Sequence, residues 1–277
     1  SLGTGFILLN FMSLRMIVFA LALLCVAIAL VLIRHFRLRG LLGIWTLCAL
    51  FYVSYLYSAP LYEKLQFGEG YTQEQKFAHV VENRSGVISV THDGMVYGSG
   101  VSDGMYHIDL ADDRNYLIRP FIISAFHSSP KRMLMIGLSS GSWAQVLANH
   151  PSVESLKILG VNPGNLELIP RHAVVASLLT NPKVQVVLED ARRYLVRNPN
   201  EKYDVILMNS SYYWEAGSTN LLSLEFMEIL RAHLDDGGMA LYNTTSSDIV
   251  NKTGMTVFPY SWRIVNALLV SDTPLTF

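Results

Sequence analysis

The sequence is short of charge and almost free of cysteine. Charged residues make up 16% of its 277 positions, against about 25% in an ordinary globular domain. Lys+Arg number 21 and Asp+Glu 22, a net charge of −1. The basic excess of a nucleic-acid binder is missing, so no nucleic acid is expected as a partner. The only two cysteines, Cys25 and Cys48, lie in apolar runs, which excludes a disulfide framework and a cysteine-based zinc site. His79, His92, His150, His172 and His233 show no i, i+4 pairing, so no metal site is predicted. No internal repeat or low-complexity segment is present.

What is present in excess is apolar. Hydrophobic residues reach 51% and the mean hydropathy is +0.31, and the excess is concentrated at the front. Residues 16–33 and 41–61 are uncharged runs that meet the length of a spanning helix. Between them, residues 34–40 form a tight basic loop with Arg34, Arg37 and Arg39. Residues 1–12 read as the tail of an earlier helix. No small-residue cleavage site follows a basic segment, so a signal peptide is excluded. A pair of buried core helices is disfavoured, because uncharged runs of this length are rare in soluble cores. Residues 1–62 are therefore read as a transmembrane region of an integral protein of the bacterial inner membrane. The positive-inside rule puts the 34–40 loop in the cytoplasm and the rest on the opposite, periplasmic side. The partners implied are the lipid bilayer and other membrane proteins, or missing helices of the same protein.

From Glu63 onward the composition is that of a globular chain. Residues 63–115 read as a small β-meander, with turn signals at Asn83-Arg84-Ser85-Gly86 and His92-Asp93-Gly94. Residues 116–277 then alternate strand and helix. The strands expected are 133–137, 156–161, 184–190, 203–210 and the segment MALYNTT, with helices at SWAQVLANH, ARRYLVR and 222–234. Such alternation predicts an α/β fold with a mostly parallel, doubly wound, Rossmann-like sheet. Residues 257–272 predict a helix or turn and one more strand, with Ala267–Val270 in the sheet.

Ligands of such sheets bind beyond the carboxyl ends of the strands. The segments to examine are Gly137–Ser142, Gly160–Pro163, Glu189–Asp190 and Asn209–Glu215. The run Gly137-Leu138-Ser139-Ser140-Gly141-Ser142 closes a strand and opens a helix. Small residues there let backbone N–H groups approach a ligand, although the same turn also serves simple helix–strand packing. Gly137, Ser139, Ser140, Gly141 and Asp190 are the candidate cofactor-binding residues.

In this order and spacing, the segments resemble the spermidine synthase (polyamine aminopropyltransferase) family, in particular its versions fused to membrane helices. The resemblance covers residues 76–245. Tyr106-His107 stands where the family has a Tyr-His or Tyr-Gln pair, and residues 137–142 are similar to its G-G-G-D-G-G loop. The segments HPSV at 150–153, NPKVQVVLEDARRYL at 181–195 and EKYDVILMNSS at 201–211 are similar as well. The resemblance implies a sheet of the S-adenosylmethionine-transferase type and a decarboxylated S-adenosylmethionine donor, with Asp190 on the donor's adenine amino group. It also implies carboxylates that this sequence lacks. Gly160 stands at the ribose-binding acid, Ser140 at the acid of the glycine loop, and Asn209 and Tyr212 at the two ends of the D-x-x-D that holds and deprotonates the amine.

A multiply cationic acceptor needs carboxylates to hold it and one to accept a proton. Asn in place of Asp keeps the shape but removes charge and basicity. The sequence therefore predicts a membrane-anchored, catalytically inactive domain that binds no cofactor and serves as a structural or interaction subunit of a membrane complex. The alternative is a divergent aminopropyl- or methyltransferase using S-adenosylmethionine or its decarboxylated form, so whether the chain is an enzyme stays open. Tyr212-Tyr213-Trp214-Glu215 reads as a packed lid rather than a substrate cage, with Glu215 a base if the loop folds inward. His107 with Asp103 or Asp109 is a possible acid–base pair, or a hydrogen-bonded surface residue.

Overall fold

The computed structural model describes residues 8–32, 36–57, 60–209, 212 and 217–276. By internal contacts the chain divides into two units, residues 1–93 with 97–101, and residues 94–96 with 102–277.

The first unit begins with helix α1 (Leu14–Leu32) and helix α2 (Phe36–Tyr57). The α1 N-terminus is tied down by Glu82, whose carboxylate accepts the Leu14 N–H at 2.8 Å. Phe19 of α1 meets Phe51 of α2 edge to face, ring centroids 6.4 Å apart. A short helix, α3 (Leu61–Phe67), follows.

Among the described residues no helix is long and apolar enough to cross a membrane. This corrects the expectation of N-terminal transmembrane spans, and with it the integral-membrane localisation and the cytoplasmic and periplasmic sides read from the arginines. The apolar runs are real, but their flanking charges are drawn into the helices. Arg15 lies in the first turn of α1, whose 19 residues leave an uncharged part short of the ~20 a span needs. Arg37 and Arg39, expected in a loop, lie inside α2. Residues 34 and 35 of that loop, and residues 1–7 of the expected earlier helix, lie outside the described residues.

Four strands follow, β1 (Phe77–Asn83), β2 (Gly86–Thr91), β3 (Met95–Gly98) and β4 (Val101–Met105), in the sheet order β1-β2-β3-β4, with β1 and β2 antiparallel. The sequence shows three strands here. The segment MVYGSGV is instead a hairpin that turns at Ser99 and Gly100, both with positive φ (50° and 86°).

The second unit is built on a seven-stranded sheet. Its strands are β5 (Arg132–Ile136), β6 (Ser155–Gly160), β7 (Val184–Leu188), β8 (Tyr203–Met208), β9 (Leu234–Asn243), β10 (Tyr260–Ile264) and β11 (Ala267–Ser271). The order is β10-β11-β9-β8-β5-β6-β7. β5 to β9 are parallel, while β11 runs antiparallel to both β9 and β10. Ala267–Val270 lies in the sheet as expected. The stretch before it is a strand too, because Trp262 and Ile264 pair with Leu269 and Ala267.

The helices are α4 (Ile118–Phe126), α5 (Ser142–Ala148), α6 (Gly164–Leu168), α7 (Ala191–Arg197), α8 (Ser218–Leu221), α9 (Leu224–Ala232) and α10 (Asp248–Val257). One core joins Leu134, Ile136, Ile206, Met208, Ala240 and Tyr242 of the strands to Leu195 of α7, Phe226 and Leu230 of α9 and Val250 of α10. The alternate strand residues Met133, Met135, Ile158, Val205 and Leu207 are buried as well. Both faces of the central strands β5 and β8 are therefore covered, which is why they read as unbroken apolar runs.

Candidate active site

The connections run from β5 outward through β6 to β7, then return to β8 on the other side of β5. The strand order reverses between β5 and β8, and the crevice beyond their carboxyl ends is where such a sheet binds ligands. Gly137 and Asn209 mark it. A Cβ on Gly137, which has φ +92°, would lie 2.5 Å from the Asn209 carbonyl oxygen. Only glycine allows the two strand ends to approach so closely.

A cavity of about 630 Å³ opens there, within the second unit. Asn209 and Tyr212 line it from beyond β8, Asn243, Thr245 and Ser246 from the end of β9, and Trp143 from α5. Thr245 and Ser246 both hold positive φ, 46° and 62°. Two consecutive non-glycine residues in that region carry strain of the kind that collects at functional sites. The other wall is Ser102, Asp103, Gly104, Arg114, Asn115, Tyr116 and Arg119, with Asn266 from the β10–β11 turn. Asp103 is the one carboxylate among these described lining residues.

Buried polar groups hold this wall in place. Asn115 grips β4 with both ends of its amide, accepting from the Met105 N–H at 3.0 Å and donating to the Met105 carbonyl at 2.8 Å. The Trp143 indole N–H donates to the Asn115 carbonyl at 2.8 Å. Arg119 is 3% exposed and donates to the Asn266 side-chain oxygen. Its guanidinium lies over the Tyr116 and Trp143 rings, 4.7 and 5.2 Å from their centroids. Burial lowers its pKa to about 10.

The candidate cofactor residues divide into two groups. Ser139, with φ 47°, donates its hydroxyl to the Asp103 carbonyl. Ser140 is bonded to the Ser142 hydroxyl at 3.1 Å, and Ser142 in turn donates to the Met105 carbonyl at 2.7 Å. These hydroxyls fasten the turn to β4 and are not offered to a ligand. Gly137 and Gly141 (φ +77°) supply the backbone shape of the turn. Asp190 is exposed at the end of β7 and caps α7, its Oδ1 accepting the Arg193 N–H at 2.9 Å. Glu189 beside it is taken up by Arg193 and Arg197, both at 2.9 Å. Gly160 ends β6 with no carboxylate. Asn162 closes its own turn by accepting the Gly164 N–H at 2.9 Å.

His107 does not pair with Asp103 or Asp109. Its Nε2 contacts the Asp112 carbonyl at 2.6 Å, which makes it a loop tie. Residues 210, 211 and 213–216 lie outside the described residues, and with them Tyr213, Trp214 and Glu215 of the expected lid. Arg119, Asn115, Trp143 and Asn266 were not picked out from sequence. The one local signal was an arginine inside the otherwise apolar segment of α4.

Comparison with known proteins agrees with this architecture. Residues 122–256 match the model of the spermine/spermidine synthase domain. Polyamine aminopropyltransferase 2 of Hyperthermus butylicus is 28% identical over 152 residues, 53% of this chain and 49% of that protein. The polyamine aminopropyltransferase of Aeropyrum pernix is 24% identical over 181 residues, 64% of this chain and 54% of that one. The chain thus spans about half the length of the curated relatives it matches. The crystal structure of spermidine synthase from Thermotoga maritima superposes with a TM-score of 0.60 at 18% identity, over 72% of this chain and 75% of that one. That likeness shows the fold.

These findings correct the expectation of a membrane-anchored, inactive subunit. The relatives carry the names of enzymes, and no described helix is long and apolar enough to span. The expectation that no cofactor binds has no support either. The stretch that resembles the spermine/spermidine synthase domain, residues 122–256, runs from α4 through α10 and holds the β5–β8 reversal.

Proposed function

We propose that this domain is a divergent aminopropyltransferase, moving a three-carbon amine from a decarboxylated S-adenosylmethionine-type donor to an acceptor amine. The observation that carries the reading is the cavity at the β5–β8 reversal, whose strand ends lie within the family-matched residues 122–256 and whose lining holds one carboxylate, Asp103.

The residues present fit the nucleoside end of such a donor. Gly137 leaves the backbone room that a Cβ would close. Asp190 uses only Oδ1 for its cap, which leaves Oδ2 to accept from an adenine amino group. When bound, the donor supplies a carbon activated by a neighbouring sulfonium. The acceptor nitrogen forms the new C–N bond, the C–S bond breaks, a neutral thioether leaves, and the nitrogen gives up one proton.

The chain has to orient the acceptor and take that proton. Asp103 is the base, because no other described residue of the cavity wall carries a carboxylate. The neutral Asn209 amide and the Tyr212 phenol orient the nitrogen by hydrogen bonds. Asp103 thereby does the work expected of the acids missing at 209 and 212. Incubation with decarboxylated S-adenosylmethionine and a panel of amines should release 5′-methylthioadenosine, and Asp103→Asn should reduce release by about 10²–10⁴-fold, the usual weight of a general base. No release with any amine, and no thermal shift with either adenosyl donor, would overturn the reading.

A further inference from the structure

The wall of the cavity carries a buried cation with no ion-pair partner among the described residues. Arg119 is 3% exposed, its Nε has no hydrogen-bond partner, and its one side-chain acceptor is the neutral Asn266. Among the described residues no carboxylate forms an ion pair with it, whereas Arg114 nearby is paired with Asp112 at 2.8 Å. The Asp113 carboxylate acts on it only at a distance and does not offset burial, and a buried guanidinium whose charge is not matched in contact is costly unless something supplies the match. The two flanking rings and Asn266 hold its plane still, as bidentate recognition of a carboxylate requires. Across the cavity the strand-end residues are Asn209 and Asn243 rather than acids. With Asp103 as the one carboxylate and Arg119 as the buried cation, the cavity suits a molecule with an amine at one end and a negative group at the other.

We propose that Arg119 binds the carboxylate of a ligand in this cavity, so that the site takes an amine bearing a carboxylate in preference to a simple diamine. This rests on the transferase reading for the cavity but names a different ligand chemistry from a plain polyamine. The carboxylate has two possible sources, an amino-acid acceptor or the methionine end of an adenosyl donor that has kept its carboxyl group.

Calorimetric titration of the full chain with matched pairs separates them. Ornithine and putrescine differ by one carboxylate on the acceptor side, and S-adenosylmethionine and its decarboxylated form differ by one on the donor side. The expected result is at least tenfold tighter binding of the carboxylate member in one pair, and that pair identifies the source. Arg119→Gln should erase the preference and Arg119→Lys should keep part of it. Should Arg119→Gln fail to fold, Asn266→Ala, which releases the guanidinium from its tether, should reduce the preference several-fold. Equal or tighter binding of the decarboxylated members, no binding of either carboxylate probe, or a preference that survives Arg119→Gln would overturn the proposal. Methylthioadenosine release from putrescine without any carboxylate preference would sink this inference and keep the transferase. Carboxylate preference without release from any amine would do the reverse.

Discussion

Tyr106 lies flat against the imidazole of His172, ring centroids 3.5 Å apart and planes 7° from parallel. Tyr106 is 8% exposed, and its hydroxyl is buried without a hydrogen-bond partner. Burial first, and the Asp103 charge second, push the phenol pKa well above its ordinary value. The group therefore stays neutral and acts through its ring. Tyr106→Phe should leave stability unchanged or slightly raised, because it removes an unsatisfied polar atom and keeps the stack. Tyr106→Ala should cost about 3–5 kcal/mol. Urea midpoints of the two variants check this, and a Phe variant as damaged as the Ala one would contradict it.

Lys157 and Glu201 form the least exposed ion pair of the second unit, 2.7 Å apart with side chains 18% and 32% exposed. Burial pulls the Lys157 pKa down, but hydrogen bonds with Glu201 and Tyr194 outweigh it and the net shift is upward. Burial likewise raises Glu201, while bonds from Lys157, Tyr203 and Tyr194 bring it below its ordinary 4.5. A depressed carboxylate contributes stability above its unfolded pKa and loses it as pH falls through the folded value. A raised lysine contributes below its unfolded pKa and loses it as pH rises through the folded one. The pair should give a plateau between these limits. Glu201→Gln should cost about 1.5–3 kcal/mol at pH 7, toward the lower end given the partial exposure. The gap from the parent should close as pH falls below 4.5. Unfolding in urea at neutral and acid pH measures it, and a gap independent of pH would refute the linkage.

Gly137→Ala tests the cradle. The residue has φ +92° and no room for a Cβ, which would meet the Asn209 carbonyl at 2.5 Å. Left-handed strain of about 1–3 kcal/mol adds to displacement of the β8 end. The expected outcome is a loss above about 2 kcal/mol together with weakened ligand binding. Gly217→Ala, where no described residue lies within 4 Å, should show only the φ penalty. Equal effects at the two sites would mean that the close approach carries no weight.

Much of this fold is legible because its signals are local. MLMIG and YDVILM are apolar without alternation, which only strands buried on both faces show, and the Gly-rich turn after the first is readable as a strand–helix junction. Asp190 caps the helix over ARRYLVR, as an Asp just before a helical segment is suited to do. The ligand wall is not local. Arg119 and Asn266 are 147 residues apart in sequence, and no spacing rule joins them. The apolar runs at the front misled for a related reason. An apolar run sets the length of a span only if the helix stays within it, and here the second helix starts at Phe36 and takes in Arg37 and Arg39.

Asp190 serves as a helix cap and as the candidate adenine contact, and two substitutions separate these roles. Its Oδ1 accepts the Arg193 N–H at 2.9 Å at the start of the seven-residue α7. Asp190→Ala removes the cap and should cost about 1 kcal/mol. Asp190→Asn keeps a side-chain oxygen in the same place, and asparagine caps helices about as well as aspartate, so its melting temperature should stay near the parent's. The Asn variant does lose the charge on Oδ2, and its amide can present a donor where an adenine amino group needs an acceptor. A hydrogen bond to a charged group is worth about 1.5–3 kcal/mol, roughly ten- to a hundredfold in affinity. Titration with S-adenosylmethionine and its decarboxylated form should therefore show both variants binding more weakly than the parent, with only the Ala variant less stable. Parent-like affinity in Asp190→Asn would reduce Asp190 to a cap and move the adenine contact elsewhere.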